Sequence, residues 1–205
     1  MLQRTPEWFA ARLGKVTASR ISDVLAELAN KKTEAVTRRN YRRQLALERY
    51  YDTPQDSAYQ SFAMAQGIAM EAEARNAYAF ARGVEIGEVG FVRHPTIEHA
   101  GASPDGFVGD HGLLEIKCPD PNAMFEALAK FPVDKKYIDQ VHWQMACSPE
   151  RKWADIWFYR AGCEGEAVRV ERDDAYIAHL EGRVIEFLAE VEADRKLLEK
   201  ARQQR

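Results

Sequence analysis

Two neighbouring stretches, Ser103-Pro104-Asp105-Gly106 and Gly112-Leu113-Leu114-Glu115-Ile116-Lys117-Cys118-Pro119, decide how the chain is read. Residues Gly112 to Cys118 form a strand bounded by Gly and Pro. Side chains alternate along a strand, so Glu115 and Lys117 share one face while Leu114, Ile116 and Cys118 point the other way. If Asp105 ends a neighbouring strand, a hairpin-like connection brings its carboxylate beside that of Glu115. Two such carboxylates repel, and the repulsion steepens near a dry core. A hard divalent cation reconciles them. Magnesium takes one or two carboxylates and completes its shell with waters and phosphate oxygens. Such an ion lowers the pKa of a bound water and stabilises charge on a cleaving phosphodiester. Lys117 then either orients or deprotonates the water, or neutralises the pentacovalent phosphate; the spacing does not choose between these roles. The plain alternative is a surface turn and a Glu–Lys pair on a solvated strand. That alternative suits an isolated E-x-K and is weakened by an S-P-D-G at this distance.

Outward from this stretch, the first half of the chain reads as helical. Pro6 to Leu13 starts a short helix, with Pro near its first position. Thr17 or Ser19 is placed to cap a second helix carrying Ile21, Val24, Leu25 and Leu28. Asn30-Lys31-Lys32 breaks it, and Thr33 can cap a third helix running to about Tyr51. Ser57 to Arg82 is alanine-rich and predicts one long helix with Gly67 as the place for a bend, closed by Gly83. Val84 to Arg93 predicts one strand kinked near Gly87 to Gly90. Ala100 to Ser103 and Phe107-Val108 flank the Pro-Asp-Gly turn. Helices at Pro121–Lys130 and Tyr137–Cys147, strands at Trp153–Tyr159 and Ala167–Glu171, and an amphipathic helix from Ala175 to Ala201 complete the chain. The expected class is α/β (α+β): a mixed sheet flanked by helices, with a helical N-terminal half, in one domain spanning 1–205.

Composition excludes several classes. With 205 residues, 46% hydrophobic and 30% charged, the chain has the balance of a globular domain. No apolar run approaches the roughly 20 residues needed to cross a bilayer. The start of the chain lacks the layout of a secretory signal, so a cytoplasmic location is expected. Cys118, Cys147 and Cys163 lie far apart with no CxxC pairing, which argues against disulfides or zinc and predicts buried or half-buried thiols. His94, His99, His111, His142 and His179 have no metal-ligand spacing; His142 reads as packed or exposed. Trp143, Trp153, Trp157 and Phe158 read as core. The net charge of −3 decides little about nucleic acid, because a local basic groove can sit on an acidic molecule. Lys31, Lys32, Arg38, Arg39, Arg42, Arg43 and Arg49 make one such segment, either a phosphate-contacting channel or a solvated helix face.

Asp105…Glu115-Ile116-Lys117 resembles the PD-(D/E)xK nuclease motif. Further blocks narrow the resemblance: Trp8…Arg12-Leu13-Gly14-Lys15-Val16-Thr17-Ala18-Ser19, Gly67-Ile68-Ala69-Met70-Glu71, Ser103-Pro104-Asp105-Gly106 and Gln140-Val141-His142-Trp143-Gln144-Met145. In this order they are similar to the phage lambda-type alkaline exonucleases, or YqaJ-like viral recombinase family, from Trp8 to about Tyr159. The resemblance implies a restriction-endonuclease-like fold. It makes Asp105, Glu115 and the Ile116 carbonyl ligands of Mg2+, with Mn2+ as a substitute and Lys117 as the catalytic lysine. Glu71 is then the additional acid for a second ion, and Gln140 lies near the attacking water or the metal. Arg12, Ser19 and Ser103 resemble a pocket for a terminal 5′ phosphate. Read without the family, Arg12 is a surface arginine, Ser19 an N-cap, Ser103 turn chemistry, Glu71 an exposed helical acid and Gln140 a solvated residue. An arginine fork with hydroxyl donors nevertheless matches phosphate oxygens.

The implied activity is 5′-to-3′ digestion of one strand of duplex DNA, releasing mononucleotides and leaving a 3′ overhang. The implied assembly is a homotrimeric ring working with a single-strand annealing protein in phage recombination. The competing readings are a restriction-type endonuclease, a CRISPR-associated iron–sulfur exonuclease (which would want a fourth cysteine) and a catalytically silent DNA-binding module.

Overall fold

A computed structural model describes residues 2–28, 33–55, 62–129, 133–163 and 165–204, with side chains in the long central helix from Met70 onward. Helix α1 (Pro6–Arg12) starts behind Thr5, whose side chain accepts a hydrogen bond from the Trp8 amide, with Pro6 at the first position. Strand β1 (Val16–Thr17) leads through a 3-10 turn (Ala18–Arg20) into the short α2 (Ile21–Leu25). Neither Thr17 nor Ser19 caps α2: Arg20 stands at that position and no side chain makes the capping bond. The reason is local competition, since β pairing with Ala100 and Gly101 holds Val16 and Thr17 extended. Leu28 lies beyond α2 and is exposed.

Helix α3 (Val36–Tyr51) begins behind Ala35, not Thr33. An isolated bridge between Glu27 and Glu34 keeps the backbone extended there. The expected breaker Asn30-Lys31-Lys32 and the expected start at Ser57 lie outside the described residues. Helix α4 (Phe62–Arg82) ends at Gly83, φ 63°, where the Gly83 and Val84 amides donate to the carbonyls of Phe80 and Ala79. This paired closure of the last turn needs a left-handed residue, which glycine adopts without strain.

Val84 to Arg93 is not one kinked strand. It divides into β2 (Ile86–Gly87) and β3 (Val92–Arg93), which join different sheets. The crossing is fixed by a close approach: a Cβ on Gly101 would stand 2.3 Å from the Phe91 ring and 2.6 Å from the Val92 carbonyl. With β4 (Ala100–Ala102), β5 (Gly106–Val108), β6 (Gly112–Lys117), β7 (Trp153–Phe158) and β8 (Glu166–Glu171), the described strands form two mixed sheets. The smaller has the order β1-β4-β3 and the larger β2-β5-β6-β7-β8, so two sheets stand where one was expected. The pairs β1–β4 and β6–β7 are parallel and the rest antiparallel.

The parallel β6–β7 pair needs a crossover, supplied by α5 (Pro121–Ala129) and α6 (Lys135–Cys147). The expected end of α5 at Lys130 lies outside the described residues. Helix α6 begins two residues before the expected Tyr137, because the Asp134 side chain caps it through the Lys136 amide. Helix α7 (Asp174–Gln203) is capped by Asp173. Leu113, Ile156 and Phe158 bury one face of the larger sheet with Val141, Leu180, Val184 and Phe187. Leu114, Ile116 and Trp157 bury the other with Ala74 and Tyr78 of α4. Each Val, Leu, Ile or Phe side chain among them contributes roughly 1.5–3 kcal/mol on burial. Glu115 and Lys117 share the Leu113 face, so they emerge from the sheet toward α6.

Candidate active site

The site begins as one further rung on the β5–β6 ladder. The Asp105 amide donates to the Leu114 carbonyl (3.0 Å), and its Oδ2 accepts from the Ile116 amide (2.7 Å). Since Gly106 pairs with Leu114, the residue before Gly106 meets the residue after Leu114. Asp105 therefore stands opposite Glu115, as the sequence predicts. Glu115 is only 4% exposed, and donors close on it from several sides. Its Oε1 accepts from Lys117 Nζ (2.6 Å) and Gln140 Nε2 (2.7 Å), its Oε2 from Gln144 Nε2 (2.5 Å). Lys117 also donates to Gln140 Oε1 (3.0 Å), and its ammonium lies 5.0 Å from the Tyr137 ring centre. Gln140 and Gln144 are four residues apart and so share the face of α6 that looks at β6.

Burial and neighbouring charges perturb Asp105 and Lys117. Asp105 is held well above the usual 3.8 by loss of water, then by the charges of Glu115 and Glu71. For Lys117, burial works against the ammonium, but Glu115 beside it prevails and raises its pKa above 10.5. Among the described residues no basic side chain pairs with the Asp105 carboxylate. Across the cleft, Glu71 of α4 ion-pairs with Arg4 and, at 2.9 Å, with Arg75. Arg75 also donates to the Asp105 carbonyl at 3.1 Å.

No preassembled cage of three or more His, Cys, Asp or Glu side chains exists among the described residues. Magnesium does not require one, since one or two carboxylates plus water suffice. The unpaired, charge-resisting Asp105 next to Glu115 fits a hard cation, and the Ile116 backbone and Glu71 border the same space.

A second group of residues lies close by. Ser103 Oγ accepts from Trp8 Nε1 (3.0 Å) and Arg12 Nη1 (3.2 Å), while the Arg12 guanidinium stacks 4.1 Å from the Trp8 ring centre. Ser19 Oγ lies 3.5 Å from Thr17 Oγ1. One cleft of about 450 Å³ is lined by Arg12, Ser19, Glu71, Ser103, Asp105, Glu115, Ile116, Lys117 and Gln140, which are all nine residues singled out in the sequence. Gln3, Arg4 and Trp8 line it too. Sequence reasoning gave no role to Gln144, Arg4, Arg75 or Trp8. Two of them carried a signal: Gln144 follows Gln140, and Trp8 precedes Arg12, by one helical turn.

Other expectations divide. Arg38 bonds Glu34 (2.7 Å) and both oxygens of Glu190 (2.7 and 2.9 Å), and Arg42 bonds Glu34 and Asp194. These arginines join α3 to α7 and do not line the cleft. Lys31 and Lys32 lie outside the described residues. His142 is buried and its Nδ1 bonds the Ile138 carbonyl. Cys118 is half-buried and Cys147 buried, but Cys163 is exposed, because it sits in a tight turn closed by its amide on the Arg160 carbonyl.

Paired acids and a lysine near the C-terminal end of the central strand of a mixed sheet, within a polar cleft, describe a nuclease. Residues 7–151 match the YqaJ-like viral recombinase domain, and the chain belongs to that family. It is 42% identical to LHK-Exo, an alkaline exonuclease from Laribacter hongkongensis, over 98% of this chain and 99% of that one, with a TM-score of 0.86. The crystal structure of LHK-Exo in complex with dAMP matches at 42% identity and the same coverage, with a TM-score of 0.88. A phage-related exonuclease from Haemophilus somnus 129PT shares the fold at 18% identity, covering 91% of this chain and 96% of that one, with a TM-score of 0.69. No curated protein matches the chain. The protein is a nuclease, and its family and relatives point to a DNA exonuclease. No described helix is long and apolar enough to cross a membrane.

Proposed function

We propose that this chain is a Mg2+-dependent exonuclease that digests one strand of duplex DNA from its 5′ end, releasing 5′ mononucleotides and leaving a 3′ overhang. One observation carries the reading. Asp105, Glu115 and Lys117 share a cleft with Arg12, Ser19 and Ser103, so a reaction centre and an anion pocket lie side by side. In this reading Asp105, Glu115 and the Ile116 carbonyl hold a Mg2+ ion, for which Mn2+ can substitute, and Glu71 helps hold a second. The bound ions supply an acidified water and neutralise charge on the cleaving phosphodiester.

The chain's own groups do the positioning. Arg12, held flat against Trp8, offers its fork to the terminal 5′ phosphate, and Ser19 and Ser103 add hydroxyls. Lys117 and Gln140, already bonded to each other and to Glu115, orient the attacking water and meet the charge that builds on the phosphate. That LHK-Exo forms a complex with dAMP supports a cleft that admits a mononucleotide. We place the protein in the cytoplasm as one domain, 1–205, assembling as a homotrimer around DNA and serving phage-type recombination beside a single-strand annealing protein.

The decisive experiment uses a 5′-phosphorylated linear duplex labelled at one 5′ end and, separately, at one 3′ end. With Mg2+ the 5′ label should leave at once as mononucleotide while the 3′-labelled strand shortens progressively; EDTA should stop both, and a covalently closed circle should survive. Loss of the 3′ label first reverses the polarity, and cutting of the circle replaces the exonuclease with an endonuclease. A monomer by light scattering removes the ring.

A further inference from the structure

Arg4 adopts φ 65°, a left-handed conformation that glycine enters freely and other residues rarely. Its neighbours hold it there. Gln3 Nε2 donates to the Val89 carbonyl (3.1 Å) and the Pro104 carbonyl (2.7 Å), and Thr5 caps α1 through the Trp8 amide (3.3 Å). With the backbone pinned on both sides, the guanidinium projects into the cleft and meets Glu71. The Arg4 side chain is 40% exposed and that of Glu71 13%.

The two arginines on Glu71 are not equivalent. Arg75 rises from the same helix one turn later and also holds the Asp105 carbonyl, so two partners fix it. Arg4 arrives from the N-terminal segment, and among the described residues Glu71 is its sole side-chain partner. One of these contacts is built into α4; the other can be given up without breaking anything else.

We infer that Arg4 is a positioning residue that occupies Glu71 as a stand-in cation and yields to a divalent ion. The inference rests on the proposed role of Glu71 as a metal ligand. A guanidinium and a metal ion compete for the same carboxylate oxygen, so an ion entering beside Glu71 displaces Arg4. The released fork lies at the wall of a cleft that takes a phosphodiester, the anion whose geometry it matches. Ion uptake and capture of the strand are thereby linked, and the acid is shielded from its neighbours Asp105 and Glu115 until the ion arrives.

The test is calorimetric titration of Mg2+ into DNA-free protein, comparing wild type, Arg4→Gly, Arg4→Lys and Asp105→Asn. Glycine suits the local φ, and thermal melts check that each variant is folded. Arg4→Gly should bind Mg2+ about threefold more tightly, the scale of one partly exposed ion pair. Arg4→Lys should fall between Arg4→Gly and wild type, and Asp105→Asn should lose the heat of binding. If wild type takes up Mg2+ in an Asp105-dependent way but Arg4→Gly binds it equally or less tightly, the stand-in role is wrong and the proposed activity stands. If wild type gives no Mg2+ heat, or Asp105→Asn leaves it unchanged, the metal reading and the stand-in role fall together.

Discussion

Glu115 in the cleft and Glu34 at the junction of α3 and α7 each accept hydrogen bonds from two or more side chains, yet the surroundings give these bonds opposite uses. Glu115 is 4% exposed and faces Asp105, a second acid with no basic partner among the described residues. At the junction, Glu34, Glu190 and Asp194 meet Arg38 and Arg42 in partly exposed pairs, and the Glu190 side chain is 43% exposed. Like charges enclosed together leave an unmet demand for a ligand; opposite charges at a wet surface meet that demand themselves and act as cement. The same residue types thus mark the proposed reactive centre in one place and a brace in the other.

The comparison can be broken most sharply at Asp105. Asp105→Asn should lower cleavage by at least about a thousandfold, the scale of losing a group that stabilises the reacting charge. Its carboxyl is held above 3.8 in the folded state, so the charged form costs stability above that pH. The metal-free variant should therefore melt no lower than wild type at neutral pH, and a marked drop would recast Asp105 as a brace. Gln144→Leu comes next. It removes the donor to Glu115 Oε2 while keeping apolar bulk, and should weaken Mg2+ binding roughly 10–100-fold in calorimetry.

At the junction the expectation reverses. Arg38→Ala should cost about 1–2 kcal/mol in denaturant melts, because its side chain is 11% exposed and grips Glu190 with two bonds. Cleavage rate and the salt dependence of DNA binding should stay unchanged; a flatter salt dependence would return this face to the DNA channel. The smallest effect is in acid. Burial raises the pKa of Glu34, but Arg42 and Arg38 outweigh it and hold it below 4.5. Its contribution is complete above pH 4.5 and fades as pH falls through the lowered value. Melts from pH 5 to 3 should show Arg38→Ala losing less stability than wild type.

What the sequence disclosed follows from the range of the forces involved. Strand alternation is a local property, so the pairing of Asp105 with Glu115 and the shared face of Glu115 and Lys117 could be read directly. The long helices α4 and α7 are equally plain, one as an alanine-rich run closed by Gly83 and the other as an amphipathic run. The division of Val84–Arg93 between two sheets was hidden, because it depends on Phe91 packing over Gly101 from the next strand. Thr33 failed as a cap for a similar reason: Glu27 reaches back to pair with Glu34. Arg38 and Arg42 read as a nucleic-acid surface because their partners, Glu190 and Asp194, come 152 residues later in the chain. Arg4 is unremarkable in sequence, one polar residue among many, and gains meaning only through the carboxylate it touches.

Ser103 follows the last residue of β4 in one sheet and Asp105 precedes the first residue of β5 in the other, with the buried Pro104 between them. The residue proposed to anchor a strand's terminus and the residue proposed to hold the metal are thus two residues apart, at most about 7 Å of chain, and the proline ring stiffens that link. In the proposed enzyme this tether would hold the distance between a bound terminal phosphate and the metal constant from one cut to the next.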